Sequence, residues 1–386
     1  MSAPPESITQ LPPEKKTPAQ QLAERRADVD AKQAQVAALL LEQDCEALLL
    51  LEPENLSWIT SGGQARSVLD PQQMPALYVS TDVRCLLASN LDAQRIFDEE
   101  IDNLGFQLKE WNWNWGREQL LTYLSRGRKL GCDVVRPDAK LVADPVRRLR
   151  YAVSEYEQQA YVRLGNVLTH ALEATCRTMP PKQPEAEIAG HLAHRVLKHG
   201  AELVNVEITA DDRSRTYRRP AFTSALINRH CVITATVRQF GLYATASRAV
   251  SFGAADANFK KEHDAACKIT TSYISSSWPD AIPSAILQAG RRVYQINLYE
   301  HEWRASPAGW VTGRAAVEQL LTPQTTENLR PGWALTWRSS VGAAVSCDTF
   351  VVTAAGPLMI TAPGNWPKKR IRISGANYDR PDILQR

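Results

Sequence analysis

The chain has 386 residues, of which 44% are apolar and 23% charged, with a formal net charge of +3 at pH 7. That length suits two domains better than one core, and the composition is that of an ordinary globular protein. The small net charge argues against nucleic acid or an anionic membrane as main partner, and no apolar run reaches the ~20 residues that span a bilayer. The first stretch, MSAPPESITQLPPEKKTPAQ, is proline-rich and lacks the apolar region of a secretory signal, so residues 1–20 are expected to be a disordered leader. Seven scattered cysteines without a CxxC pair predict free buried thiols and a cytoplasmic protein.

From about residue 21 the spacing of Leu22, Val29, Val36, Leu39 and Leu40 predicts a helix. The apolar run 47–51, stopped by Glu52-Pro53, reads as a central strand. Strands at 76–80, 83–88 and 129–135, with a helix at 117–125, make residues 21–150 an α/β layer domain. Trp111, Trp113 and Trp115 recur at period two and would share one strand face. An aromatic edge packed on the second domain or a sister subunit is preferred to a base- or sugar-stacking platform, because few cations lie nearby.

The boundary falls at 144–151. After it, Ser154-x-x-Glu157 opens a long amphipathic helix that ends before Pro180-Pro181, and a second helix closes at Gly200. Residues 231–253, CVITATVRQFGLYATASRAVSFG, alternate apolar and small residues and break once at Gly241, the pattern of a hairpin with one buried face.

The stretch Gly241-Leu-Tyr-Ala-Thr-Ala-Ser-Arg248 resembles the GYxSDxTR segment of the M24 metallopeptidases, the family of methionine aminopeptidase, Xaa-Pro aminopeptidase and creatinase. Residues 26–40 and 47–63 resemble the N-terminal domain of creatinase and Xaa-Pro aminopeptidase. The S-x-x-E helix, proline-rich turn and E-x-E-I stretch resemble the opening of the M24 catalytic domain. The resemblance implies an α/β creatinase-like N-terminal domain over 21–150, an α+β pita-bread domain over 151–370 and a tail over 371–386.

In that family two Asp, one His and two Glu hold two metals that activate water. Carried over by motif, the Asp positions are Thr234 and Thr245, with the Arg three residues beyond kept as Arg248. The segment PGMxFTxEP matches residues 331–339 and puts Arg338 at its Glu; EDTxLVT matches 347–353 and puts Cys347 at its Glu, with Asp348 kept. A stretch like WxxHHQGGxTGY matches 303–314 and puts Ser306 and Pro307 at its histidines. Upstream, Arg219 stands where a substrate histidine would be. Hydroxyls, one thiol and a guanidinium do not form a donor set for two divalent ions, so neither metal nor other cofactor is expected.

Several other groups invite a catalytic reading. His191 and His194 share a helix face but lack a carboxylate partner beyond Glu185 and Glu187, so a solvated face is the better account. Glu300-His301-Glu302 reads as a charged loop, and nothing places a histidine beside Cys347 to make it a nucleophile. Ser339-Ser340 lacks a nucleophile-elbow context, and the basic run 368–372 reads as a surface strand. Arg213, Arg215, Arg218, Arg219, Arg248 and Arg338 either line an anion-holding cleft or pair with Asp211, Asp212 and Asp348; the sequence leaves both open.

The expected function is therefore that of a degenerate M24-like protein, a pseudopeptidase. Its cleft would bind a peptide end or small anion through Arg219, Arg248 and Asp348, or serve in assembly. By analogy it would be a homodimer through the tryptophan edge. The alternative is an active aminopeptidase-like hydrolase with a metal-independent site, as in creatinase, whose chemistry leans on cleft histidines missing here.

Overall fold

A computed structural model describes residues 16–386 of the chain. It divides into two units between Glu157 and Gln158. The expected leader lies mostly outside the described residues, but its end does not behave as one. Helix α1 spans Pro18–Gln43, starting before residue 21 because Thr17 and Gln20 form a reciprocal capping box and proline occupies the first turn.

The first unit continues with β1 (Ala47–Leu50), α2 (Pro53–Ile59), β2 (Ala76–Ser80), β3 (Arg84–Ser89), α3 (Ala93–Glu100), β4 (Gln107–Trp111), α4 (Glu118–Ser125), β5 (Leu130–Cys132), β6 (Lys140–Leu141) and α5 (Ala143–Arg150). Its six strands form one mixed sheet in the order β4-β3-β2-β1-β5-β6. Successive residues of β1 enter opposite cores. Leu48 and Leu50 pack with Val29, Val36, Leu56 and Ile96, while Ala47 and Leu49 pack with Leu121, Leu124 and Trp111. A strand covered on both faces must be apolar at every position, which is why 47–51 does not alternate. Burying each such leucine contributes roughly 1.5–3 kcal/mol.

The three tryptophans do not share a face. Strand β4 stops at Trp111, which is buried, and the chain turns through 112–115 with Trp113 N–H donating to Asn90 Oδ1. The turn breaks the period-two alternation and leaves Trp113 59% and Trp115 68% exposed.

The second unit carries most of α6 (Glu155–Thr178), whose start is closed by Glu157 N–H donating to Ser154 Oγ and Ser154 N–H to Glu157. After α7 (Glu185–Lys198) come β7 (Glu202–Ala210), the single-turn α8 (Arg213–Thr216), β8 (His230–Gln239) and β9 (Leu242–Ser251). Strands β8 and β9 are the predicted hairpin. Phe240 and Gly241 both take positive φ, 51° and 70°, the backbone of a two-residue turn matched to strand twist.

Helices α9 (Ala257–Ser275) and α10 (Pro283–Ile296) follow, then β10 (Gly309–Thr312), β11 (Gln319–Leu320), β12 (Ala334–Val341), β13 (Ala344–Thr353) and β14 (Gly356–Met359) in a sheet ordered β11-β10-β12-β13-β14. Strand β13 lies against β9: Thr245 N–H donates to Thr349 Oγ1 at 2.9 Å and Cys347 N–H to Ser247 Oγ at 2.8 Å. Helix α9 covers β12 and β13, with Tyr273 stacked on Trp337 at 4.9 Å and Trp337 Nε1–H donating to Ser277.

The last residues are not a tail. β15 (Lys368–Ile373) pairs with β16 (Ala376–Pro381), and β17 (Leu384–Gln385) adds parallel to β9, completing the sheet β17-β9-β8-β7. Arg380, 2% exposed, reaches inward to Asp348, and that buried pair ties the C-terminal strands to the core.

Candidate functional site

The motif positions separate into two environments. One is a small, partly open pocket with room for about one water molecule. Its walls are Glu207 and Thr209 of β7, Ser214, Tyr217, Arg218 and Pro220 around α8, Val232 and Thr234 of β8, Arg338 and Ser340 of β12, and Val345 of β13. Strand alternation explains the membership: 207 and 209, 232 and 234, 338 and 340 are each two residues apart and share a face.

Arg338 is the pivot of this pocket. Its Nη2 donates to Glu207 Oε2 at 2.7 Å and to the Arg218 carbonyl at 2.9 Å. Burial works against its charge, but the Glu207 carboxylate outweighs burial and holds the guanidinium protonated. Arg338 therefore faces the pocket and not Asp348. Arg218, beside it, pairs with Glu302 at 2.9 Å, and Glu302 also accepts the Gly342 N–H. Gly342 sits at φ 55°, and a Cβ there would lie 2.2 Å from the Glu262 carboxyl carbon, so any side chain at this turn would displace the Glu262 carboxylate.

The second environment is a buried network beside the pocket. Thr245 and Thr236 share a hydroxyl–hydroxyl bond of 2.9 Å, as do Thr336 and Thr349. Asp348 accepts the Thr361 hydroxyl at 2.8 Å on Oδ1 and the Arg380 guanidinium on Oδ2. Arg248 is 1% exposed, lies 3.9 Å from Asp348 and 3.3 Å from Glu173, and donates to the Ser247 and Thr361 carbonyls. Arg248 and Asp348, ligand-binding candidates by the motif, thus both lie in one buried ion network.

The remaining candidates fall outside the pocket walls. Arg219 is exposed, and its neighbour Arg218 takes the position in the wall. Ser306 is half-buried in the loop before β10. Cys347 is cross-strand partner to Arg338 but fully buried, and burial pushes its thiol well above the usual range, away from nucleophilic thiolate. His191 and His194 are solvent-exposed on α7. Of the six arginines, four pair chiefly with carboxylates other than those expected, Arg213 with Glu185, Arg218 with Glu302, Arg248 with Glu173 and Arg338 with Glu207, while Arg215 pairs with the expected Asp212 and with Glu262.

Sequence reasoning missed Glu207 and set Ser340 aside together with Ser339. The available signal for Glu207 was a carboxylate among the inward residues of a strand, which requires a buried cation somewhere. Among the described residues no group of three or more His, Cys, Asp or Glu side chains is arranged to hold a metal ion. The donors that are present, hydroxyls and a guanidinium already paired with Glu207, do not fit a dinuclear centre.

No family model matches the sequence, and no curated protein matches it. Solved structures do. The dipeptidase PepE of Mycobacterium ulcerans is 16% identical with a TM-score of 0.73, the match covering 93% of this chain and 99% of that one. The X-Pro aminopeptidase of Thermotoga maritima is 15% identical with a TM-score of 0.72, covering 92% and 99%. The N-terminal domain of the FACT complex subunit SPT16 from chickpea, Cicer arietinum, is 11% identical with a TM-score of 0.64, covering 89% and 97%. At such identities likeness is a statement about architecture: the chain has the two-domain fold of the M24 metallopeptidases, an α/β N-terminal domain followed by a pita-bread domain.

Proposed function

We propose that the chain is a catalytically degenerate protein of M24 fold that binds a ligand, or a partner in an assembly, and does not hydrolyse peptides. The observation that carries this reading is Arg338. A cation paired with Glu207 stands at a motif position where the resemblance calls for a metal-binding carboxylate. A fixed positive charge opposes a divalent ion at the same place. Thr234, Thr245, Ser306 and Cys347 at the other motif positions offer only neutral donors at neutral pH. One fold neighbour is the N-terminal domain of a FACT complex subunit, which supports the view that this fold serves outside peptidases as well.

The same reading makes the protein a homodimer, with the exposed Trp113 and Trp115 as contact candidates. Light scattering on the purified chain tests this, and replacing both tryptophans by serine is expected to shift a dimer to monomer.

The central test is metal content and peptidase activity together. The purified protein, before and after incubation with Mn²⁺, Co²⁺ or Zn²⁺, is expected to hold metal far below one ion per chain and to leave Xaa-Pro peptides intact. Two tightly held ions per chain with turnover of such a peptide would overturn the proposal.

A further inference from the structure

We infer that the outer edge of β15 takes up an extended acidic segment of another protein, added as a third strand to the β15–β16 hairpin. None of the residues involved lines the pocket beside Arg338, so the inference stands whether or not the chain hydrolyses peptides.

Two observations meet at this edge. The first is that it is open. Among the described residues β15 pairs with β16 alone, and no backbone group from elsewhere bonds to residues 368–373. The hairpin closes through Ser374-Gly375, both at positive φ, 50° and 86°, a two-residue turn that makes Ile373 and Ala376 a hydrogen-bonded pair. At the other end Asp382 N–H donates to the Pro367 carbonyl at 2.8 Å, in the same phase. Hydrogen-bonded pairs alternate with open ones, so Lys368, Arg370 and Arg372 turn their N–H and C=O groups away from β16. Pro381, which has no N–H to give, lies opposite Lys368 at one of the open pairs.

The second observation is that the same three residues carry the charge. Alternation turns Lys369 and Ile371 towards α9, where Ile371 is buried and Lys369 pairs with Asp264, and leaves Lys368, Arg370 and Arg372 exposed on the outer face. Across the ladder Lys368 and Arg372 face the uncharged Pro381 and Asn377. Arg370 is offset only by Asp379, 3.5 Å away, with both side chains exposed. Like charges directly opposite one another destabilise a strand pair, so these cations exclude a second copy of the same edge. An acidic strand reverses the sign. Directly opposite residues of paired strands share a face, so carboxylates at alternate positions meet Lys368, Arg370 and Arg372 while the partner's backbone satisfies the outward N–H and C=O groups. A nucleic acid or an anionic lipid surface uses the charge but leaves that row of backbone groups unpaired.

The test is fluorescence anisotropy of a dye-labelled peptide of alternating glutamate and valine, its ends blocked, titrated with the full chain. Saturable binding that weakens as salt rises is the expected result. A peptide with glutamine for glutamate is expected not to bind. A version N-methylated along its backbone keeps the charge, loses the N–H donors and is also expected not to bind. Arg370→Glu with Arg372→Glu, checked for folding by circular dichroism, is expected to weaken the acidic peptide about tenfold, since it turns two exposed ion pairs into repulsions. Lys368→Gln with Arg372→Gln, a milder change that leaves the Arg370–Asp379 pair alone, is expected to weaken it about threefold. Absence of binding by the acidic peptide, or unchanged affinity in both variants, would overturn the inference. Equal binding of the N-methylated peptide, or tighter binding of a single-stranded oligonucleotide or of phosphatidylserine vesicles, would show charge alone at work and overturn it too.

Discussion

Strands β12 and β13 border two regions of opposite character. Around Asp348 both carboxylate oxygens are occupied, by Thr361 and by Arg380, and Arg248 links the cluster to Glu173. Around Arg338, the partner of the neighbouring Cys347 in the strand register, one nitrogen is doubly engaged while another has no partner among the described residues. Because side chains alternate across a strand, adjacent positions of one hairpin serve a closed polar core and an open pocket. The lesson is that charge at a motif position has no single meaning. Asp348 is kept by the motif and yet is structural, whereas Arg338 departs from the motif and lines the pocket.

The largest expected effect comes from breaking the closed region. Asp348→Ala strands the Arg380 guanidinium in a site 2% exposed, and removing one partner of a buried pair costs about 3–5 kcal/mol. Urea denaturation measures it, and a loss below about 1 kcal/mol would mean the network is not closed. Next is the pocket pair. Glu207→Ala leaves Arg338 without its carboxylate at a cost of about 1–3 kcal/mol, smaller because the pocket is partly open to solvent. The double variant Glu207→Met with Arg338→Met is expected to recover most of that loss.

What could be read from the sequence divides along similar lines. The strand at 76–80, the hairpin broken at Gly241 and the helix opened by Ser154 were legible because alternation, turn glycine and capping box are local signals. The motif frame also led to Thr234 and Arg338, which do share a pocket. The ion partners were not legible: Arg338 finds Glu207 across 131 positions and Arg248 finds Glu173 across 75. An arginine within a strand looks exposed until the carboxylate that buries it is known. The tryptophan run misled for the reverse reason, since a local period persisted after the strand had ended at Trp111.

A smaller effect should appear with pH. His263 on α9 is buried with its Nε2 3.1 Å from the Pro381 carbonyl, and burial lowers its pKa from 6.5 to about 4. Asp382, Lys369 and Arg380 are the charged groups that act on it. A histidine held neutral in the fold binds fewer protons than in the unfolded chain, so its contribution is fully present above pH 6.5 and is lost as pH falls towards 4. His263→Gln is expected to flatten the decline of the thermal midpoint over that window, and an unchanged slope would assign the acid sensitivity to other groups.

The smallest effects sharpen the contrast most directly. Thr245→Val removes a hydroxyl bonded to Thr236 at 2.9 Å inside the closed network, and leaves Thr236 short of that partner; about 1 kcal/mol should be lost. Ser340→Ala removes a hydroxyl that is equally buried but has no partner among the described residues. Deleting an unsatisfied group relieves its desolvation cost, so stability without ligand should hold or rise by a fraction of that amount. Paired thermal melts decide it. If Ser340→Ala loses as much as Thr245→Val, its hydroxyl has a partner within the fold and the two regions do not differ; if it holds or gains stability, the hydroxyl is unsatisfied and the contrast between the two regions stands.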